Sequence, residues 1–293
     1  MDKAGSKSPL LSARTFLFVP GDRPERIVKA LNAKTDAVII DLEDAVRAEN
    51  KIAARAGMIA PIMENRSATG PLTLIRTNEV TSAEFAADFK VALQLKVDAI
   101  VLPKFSPGTS AAEADQIISK LENEHKVNVP MPVIGLIEST AGVLNLLNSS
   151  KIPDRVKRLA FGAADLYADL GVTYQANGPN TDLAMAALVL ASVNSKLGAP
   201  IDSPHFEVAD LQGLQERSLF ANKIGFGGKL CIHPDQLATV EESFQASSDE
   251  KDWAARVIER WNAREEKSGA ILLDGSLVDE AMVKRAKQIL GLI

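Results

Sequence analysis

The chain has 293 residues, 46% apolar and 24% charged, and carries a net charge of −5 from 33 basic and 38 acidic side chains. That is the balance of an ordinary globular protein, and its mild acidity offers no electrostatic footprint for nucleic acid or anionic lipid. The longest apolar run, Leu183–Ala191, is too short for the ~20 residues of a membrane-spanning helix; the first fourteen residues lack a signal core; and the single Cys231 cannot form an internal disulfide, so the cytoplasm is the expected compartment.

Short β-type runs alternate with helical stretches along the chain. Thr15–Pro20 (TFLFVP) is the first run, followed by a helix over 23–34 with Pro24 in its first turn. Ala37–Asp41 (AVIID) is the second, followed by a long helical stretch through Asn65. Leu72–Arg76 and Ala99–Pro103 are the third and fourth, with helices near 84–95 and 111–126 after them. Pro132–Glu138 and Arg158–Gly162 are the fifth and sixth, the latter with a long helix near 181–197. Ala199–Asp202 is a weak seventh, and Lys229–Ile232 is the eighth. Most runs are continuously apolar, as strands of a parallel sheet covered on both faces must be. Eight strand–helix units between residues 14 and 248 match the ~250 residues of a (β/α)8 barrel. An open doubly wound sheet is the rival, and no G-x-G-x-x-G follows the first strand to support it. Residues 1–13 read as a flexible arm, and 249–293 as a C-terminal helical appendage around a turn at Asp274-Gly275.

A barrel of this kind carries its chemistry at the C-terminal ends of its strands. The residues expected there are Asp41, Glu43 and Asp44, then Arg76 and Asn78, Lys104, Glu138, Asp165, Asp202 and His233. Any one of them taken alone reads more readily as a helix cap or a solvated loop residue. Together they form an acidic rim with Arg76 and Lys104 in it, the oxygen-rich setting that Mg2+ prefers. Adjacent strands bring Glu138 and Asp165 within reach of one ion. Lys104 raises a rival, a Schiff-base aldolase, but the surrounding acids favour ion pairing. No two histidines have metal-ligand spacing.

These residues fall in stretches that resemble the citrate lyase β-subunit-like branch of the HpcH/HpaI aldolase–citrate lyase superfamily. The stretches are Arg14–Gly21, Asp36–Val46, Arg76–Asn78, Leu102–Lys104, Glu138–Gly142 (ESTAG), Phe161–Asp165 (FGAAD), Gly198–Asp202 and Gly225–Pro234. Gly269–Asp279 is similar to the family's lid. Phe18 stands where some relatives carry tyrosine, and Glu79 where a small residue is common.

The resemblance implies a (β/α)8 barrel with a C-terminal lid, assembled as a trimer or hexamer and dependent on Mg2+. It implies Glu138 and Asp165 as metal ligands, with Glu138 also facing substrate. Arg76 would bind substrate oxygens, with Glu43 and Asp44 orienting metal-bound water or neighbouring groups. Lys29 would meet the coenzyme A part, and Asp279 would be the acid–base group. The implied reaction splits or forms a 3-hydroxyacyl-CoA thioester such as malyl-CoA or citramalyl-CoA, giving a 2-oxo acid and an acyl-CoA. Three alternatives stay open: the β subunit of a citrate lyase working on an acyl carrier protein, a 2-oxo acid aldolase, and a non-catalytic acyl-CoA-binding barrel.

Overall fold

The computed structural model describes residues 8–148, 151–175, 178–264 and 269–292. They form two compact units, 1–244 and 245–293. The first is a closed barrel of eight parallel strands: β1 Thr15–Pro20, β2 Ala37–Asp41, β3 Leu72–Arg76, β4 Ala99–Leu102, β5 Val133–Ile137, β6 Val156–Phe161, β7 Ile201–Asp202 and β8 Gly228–Cys231. Each strand pairs with the next, and β8 closes on β1 through Phe16 and Leu230.

Two apolar layers hold the barrel. Phe16, Ile39, Leu74, Val101, Leu136, Ala160 and Leu230 fill the interior. Val38, Ile40, Ile75, Ile100, Ile137, Phe161 and Cys231 face the surrounding helices. The two sets differ by one residue along each strand, as a period of two requires. That parity decides which strand-end residues reach the mouth. Asp41, Arg76, Glu138 and Gly162 each lie two residues beyond an interior residue, and so continue the inward row.

Several sequence expectations shift locally. The long stretch before Asn65 is broken into Lys51–Gly57 and Ile59–Asn65. Gly57 sits at the break, and Pro61 has no N–H to return to its carbonyl. β7 shrinks to two residues. Residues 1–7 of the expected arm lie outside the described residues, but Pro9–Ser12 is a helix with Leu10 and Ala13 buried. The wholly buried Arg158 of β6 is the reason. Its guanidinium donates to Leu10 O at 3.2 Å, Ala13 O at 2.6 Å and Ala199 O at 2.7 Å. Burial lowers the pKa of this arginine to about 9.

The second unit contains the helices Ser248–Asn262 and Glu280–Ile289 with a hairpin of β9 Ala270–Leu273 and β10 Ser276–Asp279. Asp274 and Gly275 both have positive φ, 51° and 78°, which is the two-residue turn that suits the twist of a hairpin. Val257, Trp261, Ile271, Val278 and Val283 build this unit's own core. Among the described residues no helix is long and apolar enough to cross a membrane.

Candidate active site

A cavity of about 350 Å³ opens at the C-terminal end of the barrel. Asp41, Asp44, Arg76, Glu138 and Asp165 line it. The register explains the first contact. Asp41 and Arg76 end adjacent strands as paired residues. Arg76 Nε and Nη2 donate to the two Asp41 oxygens at 2.8 and 2.7 Å, a bidentate fork. Asp41 also accepts from the backbone N–H groups of Glu43 and Ala45, at 2.9 and 3.1 Å. Arg76 Nη1 lies 2.8 Å from Glu43 Oε2 and 3.8 Å from Asp44 Oδ2, and the guanidinium sits over the Phe18 ring at 5.1 Å. Burial works against the charge of Arg76, but these carboxylates outweigh it and raise its pKa. The guanidinium is therefore rigidly mounted, forked on Asp41 with its Nη1 turned toward Glu43 and Asp44.

Glu138 is 3% exposed. Its Oε1 accepts from Lys104 N at 2.7 Å, an amide aimed by the left-handed backbone of Lys104 (φ 48°). Its Oε2 is buried with no hydrogen-bond partner. Gly162 provides the space. A Cβ there would stand 2.5 Å from Glu138 Cβ and 2.6 Å from Oε2. Asp165 lies in the first turn of the helix Ala163–Leu170, exposed at the cavity wall. One turn later, Asp169 accepts from Thr140 N and Oγ1 at 2.7 and 2.6 Å, tying that helix to the segment after Glu138.

The electrostatics are those of crowded acids. Burial raises the Glu138 carboxyl to about 8, helped by Glu43 and Asp165 and opposed by the Lys104 amide. Burial raises Glu43 to about 7 against the pull of Arg76. Asp165 is also raised, first by burial and then by Asp44. A buried acceptor lacking a donor, among carboxyls that resist ionisation, has the chemistry of a cation site. Hard divalent ions take such oxygens and keep several waters. Among the described residues no three acidic, histidine or cysteine side chains cluster as a complete cage. Two carboxylates with water fit Mg2+, which needs no such cage.

Other expected residues fall elsewhere. Asp202 has outward parity and forms a buried ion pair with Lys229 instead of facing the cavity. His233 caps a short turn by accepting from Asp235 N. Lys104 turns its amine to Glu79 and its pKa is raised, first by that bond, opposite to what a Schiff-base nucleophile needs. Lys29 is exposed in the last turn of the helix Pro24–Leu31 and is not part of the cavity wall. Arg26 of that helix's first turn is. The start of a helix after a barrel strand lies at the catalytic end, which is why Arg26 reaches the cavity wall. Asp279 belongs to the second unit, where its carboxylate accepts from Met282 N at 3.1 Å and caps the last helix. Phe206 and Ile232 also line the cavity, and sequence reasoning passed over both because neither carries a charge.

A profile of the HpcH/HpaI aldolase/citrate lyase family matches residues 14–234. The chain is 32% identical over 282 residues to a citrate lyase subunit beta-like protein of Mycobacterium tuberculosis, spanning 94% of this chain and 93% of that one. It is 30% identical over 291 residues to the mitochondrial citramalyl-CoA lyase of Rattus norvegicus, spanning 95% and 85%. It superposes with a TM-score of 0.76 and 27% identity, over 96% of this chain and 98% of the other, on the crystal structure of CitE from Mycobacterium tuberculosis in complex with magnesium, acetoacetate and coenzyme A. The match spans the barrel and every strand end that builds the cavity, and on it the chain belongs to the HpcH/HpaI aldolase/citrate lyase family, in its citrate lyase β-like branch, and is a carbon–carbon lyase.

Proposed function

We propose that the protein is a Mg2+-dependent lyase that cleaves, or in reverse forms, a 3-hydroxyacyl-CoA thioester of the malyl-CoA or citramalyl-CoA kind, exchanging it for a 2-oxo acid and an acyl-CoA. The observation that carries this reading is the buried, donorless Oε2 of Glu138 in the same cavity as Asp165 and the clamped Arg76. The magnesium-bound relative and the citramalyl-CoA lyase relative support it.

In this reading Glu138 and Asp165 hold the ion. Bound Mg2+ supplies Lewis acidity toward the oxygens of the 2-oxo acid half. Arg76 presents fixed positive charge where oxygen becomes negative as the carbon–carbon bond breaks, and its Asp41 fork means no reorganisation is needed at that moment. Glu43 and Asp44 orient water and the guanidinium. Asp279 removes the proton from the 3-hydroxyl and protonates the enolate carbon afterwards. Lys29 meets the coenzyme A arm. The assembly in this reading is a homotrimer or hexamer, in the cytoplasm.

The test is a screen of 3-hydroxyacyl-CoA compounds and a citryl-acyl-carrier-protein thioester with the full-length chain and Mg2+, scoring glyoxylate, pyruvate and oxaloacetate separately. Release of one of them without added subunits is expected. Cleavage only of an acyl-carrier-protein thioester would move the protein to a citrate lyase complex, and no thioester cleavage at all would refute the reading.

A further inference from the structure

The cavity wall has two chemistries. Besides the acids and Arg76, it is lined by carbon: Pro204 and Phe206 from the segment after β7, and Leu230 and Ile232 from β8 and its end. Phe206 is 45% exposed and Ile232 38%, so neither is spent on the barrel core.

Both are nonetheless held in place. The Phe206 ring packs edge-to-face on Tyr174 with centroids 5.8 Å apart at 89°, and Tyr174 packs likewise on Tyr167 at 5.2 Å and 83°. Tyr167 is buried, and its hydroxyl lies 2.9 Å from Thr181 Oγ1 and donates to Gln175 O at 3.1 Å. The backbone is fixed from the other side by Gln236, which is 1% exposed. Its Nε2 donates to His205 O at 2.8 Å, and its Oε1 accepts from Ile232 N at 2.9 Å. One buried amide thus joins the two segments that carry Phe206 and Ile232. A buried amide with its groups satisfied rigidifies what it joins.

We infer that Phe206 is the specificity-determining residue of the site, packing on the alkyl substituent of the 2-oxo acid half of the substrate, with Gln236 as its positioning residue. The inference rests on the lyase reading above. Charged groups account for the carboxylate and the oxygen of the 2-oxo acid, so its alkyl group is the part left to meet carbon. A cavity of about 350 Å³ holds a small acid and the reacting carbons rather than the whole thioester arm. Selection by an apolar wall is graded: one methylene changes the preference by roughly 10- to 200-fold.

The experiment measures calorimetric binding of glyoxylate, pyruvate, 2-oxobutanoate and 2-oxohexanoate to the full-length protein with Mg2+, beside kcat/KM for the matching thioesters. The wild type is expected to bind pyruvate about 10-fold more tightly than glyoxylate and to reject the longest acid. Phe206→Ala, at an exposed position that leaves the core intact, is expected to reduce the first preference to under about threefold and to admit 2-oxohexanoate. Gln236→Glu keeps the acceptor for Ile232 N and removes the donor to His205 O. It is expected to weaken the same preference, raising KM more than it lowers kcat. An unchanged ranking of the four acids in Phe206→Ala overturns the inference and leaves the lyase reading intact. Ranked binding without thioester cleavage refutes the lyase reaction and upholds the wall. No binding of any 2-oxo acid to the wild type overturns both.

Discussion

Replacing Glu138 by glutamine should make the metal-free protein less sensitive to rising pH. The buried carboxyl titrates near 8 in the folded chain, against an ordinary value of 4.5. Between those limits the folded state binds more protons than the unfolded one, so stability falls as pH rises. The contribution is complete below pH 4.5 and is lost through pH 8. Each pKa unit corresponds to about 1.4 kcal/mol, so the ionisable side chain costs about 3 kcal/mol at pH 7. Glutamine cannot ionise. It leaves an amide in place of the donorless oxygen, at about 1–3 kcal/mol, but that cost is the same at every pH. The discriminating quantity is therefore a difference of differences. From pH 6 to pH 8 the wild type should lose about 2 kcal/mol relative to Glu138→Gln. Denaturant titrations in chelator, followed by far-ultraviolet circular dichroism, measure it. Tryptophan fluorescence does not serve, because Trp253 and Trp261 both lie in the second unit. Parallel stability curves for the two proteins would refute the account of Glu138 as a carboxyl forced against its ionisation.

The same carboxyl predicts that Mg2+ affinity, read by calorimetry, rises more than 10-fold from pH 6 to pH 8, with protons released on binding; affinity independent of pH would contradict it. Gly162→Ala should weaken Mg2+ binding at least 10-fold while the barrel still folds, because the new methyl meets the Glu138 side chain at 2.5–2.6 Å. Wild-type affinity in that variant would show that Glu138 is free to move aside. Asp279→Asn should keep the thermal stability of the C-terminal unit, since asparagine caps a helix as well as aspartate does. Turnover should nevertheless fall at least 100-fold with little change in acyl-CoA affinity, and unchanged turnover would reduce Asp279 to a cap.

The barrel was legible because its strands are apolar on both faces and separated by regular helical stretches. The acidic rim was legible too, but not its sorting. Asp41 and Asp202 both end strands in an apolar-to-acid step, yet one faces the cavity and the other pairs with Lys229 behind the sheet. Counting parity from an interior residue separates them, and the interior set becomes clear only when the strands are aligned. The Asp41–Arg76 fork depends on register between β2 and β3, which follows from closure of the whole barrel. Lys29 was named on the family resemblance alone, whereas Arg26, in the first turn of the same helix, is seen at the cavity wall only once the barrel is closed. Phe206 and Gln236 gave no signal because an exposed aromatic and a buried amide acquire meaning only from their neighbours. The break at Gly57 was foreshadowed by Pro61, but helix propensity on either side concealed it.

The grip of Arg158 on the carbonyls of Leu10 and Ala13 also sets an order for biosynthesis. The partners are separated by 148 and 145 positions, so the leading segment leaves the ribosome long before the cation that secures it. At ordinary elongation rates that interval is roughly 7–30 s. Throughout it, the helix Pro9–Ser12 has no latch on the floor of the nascent barrel.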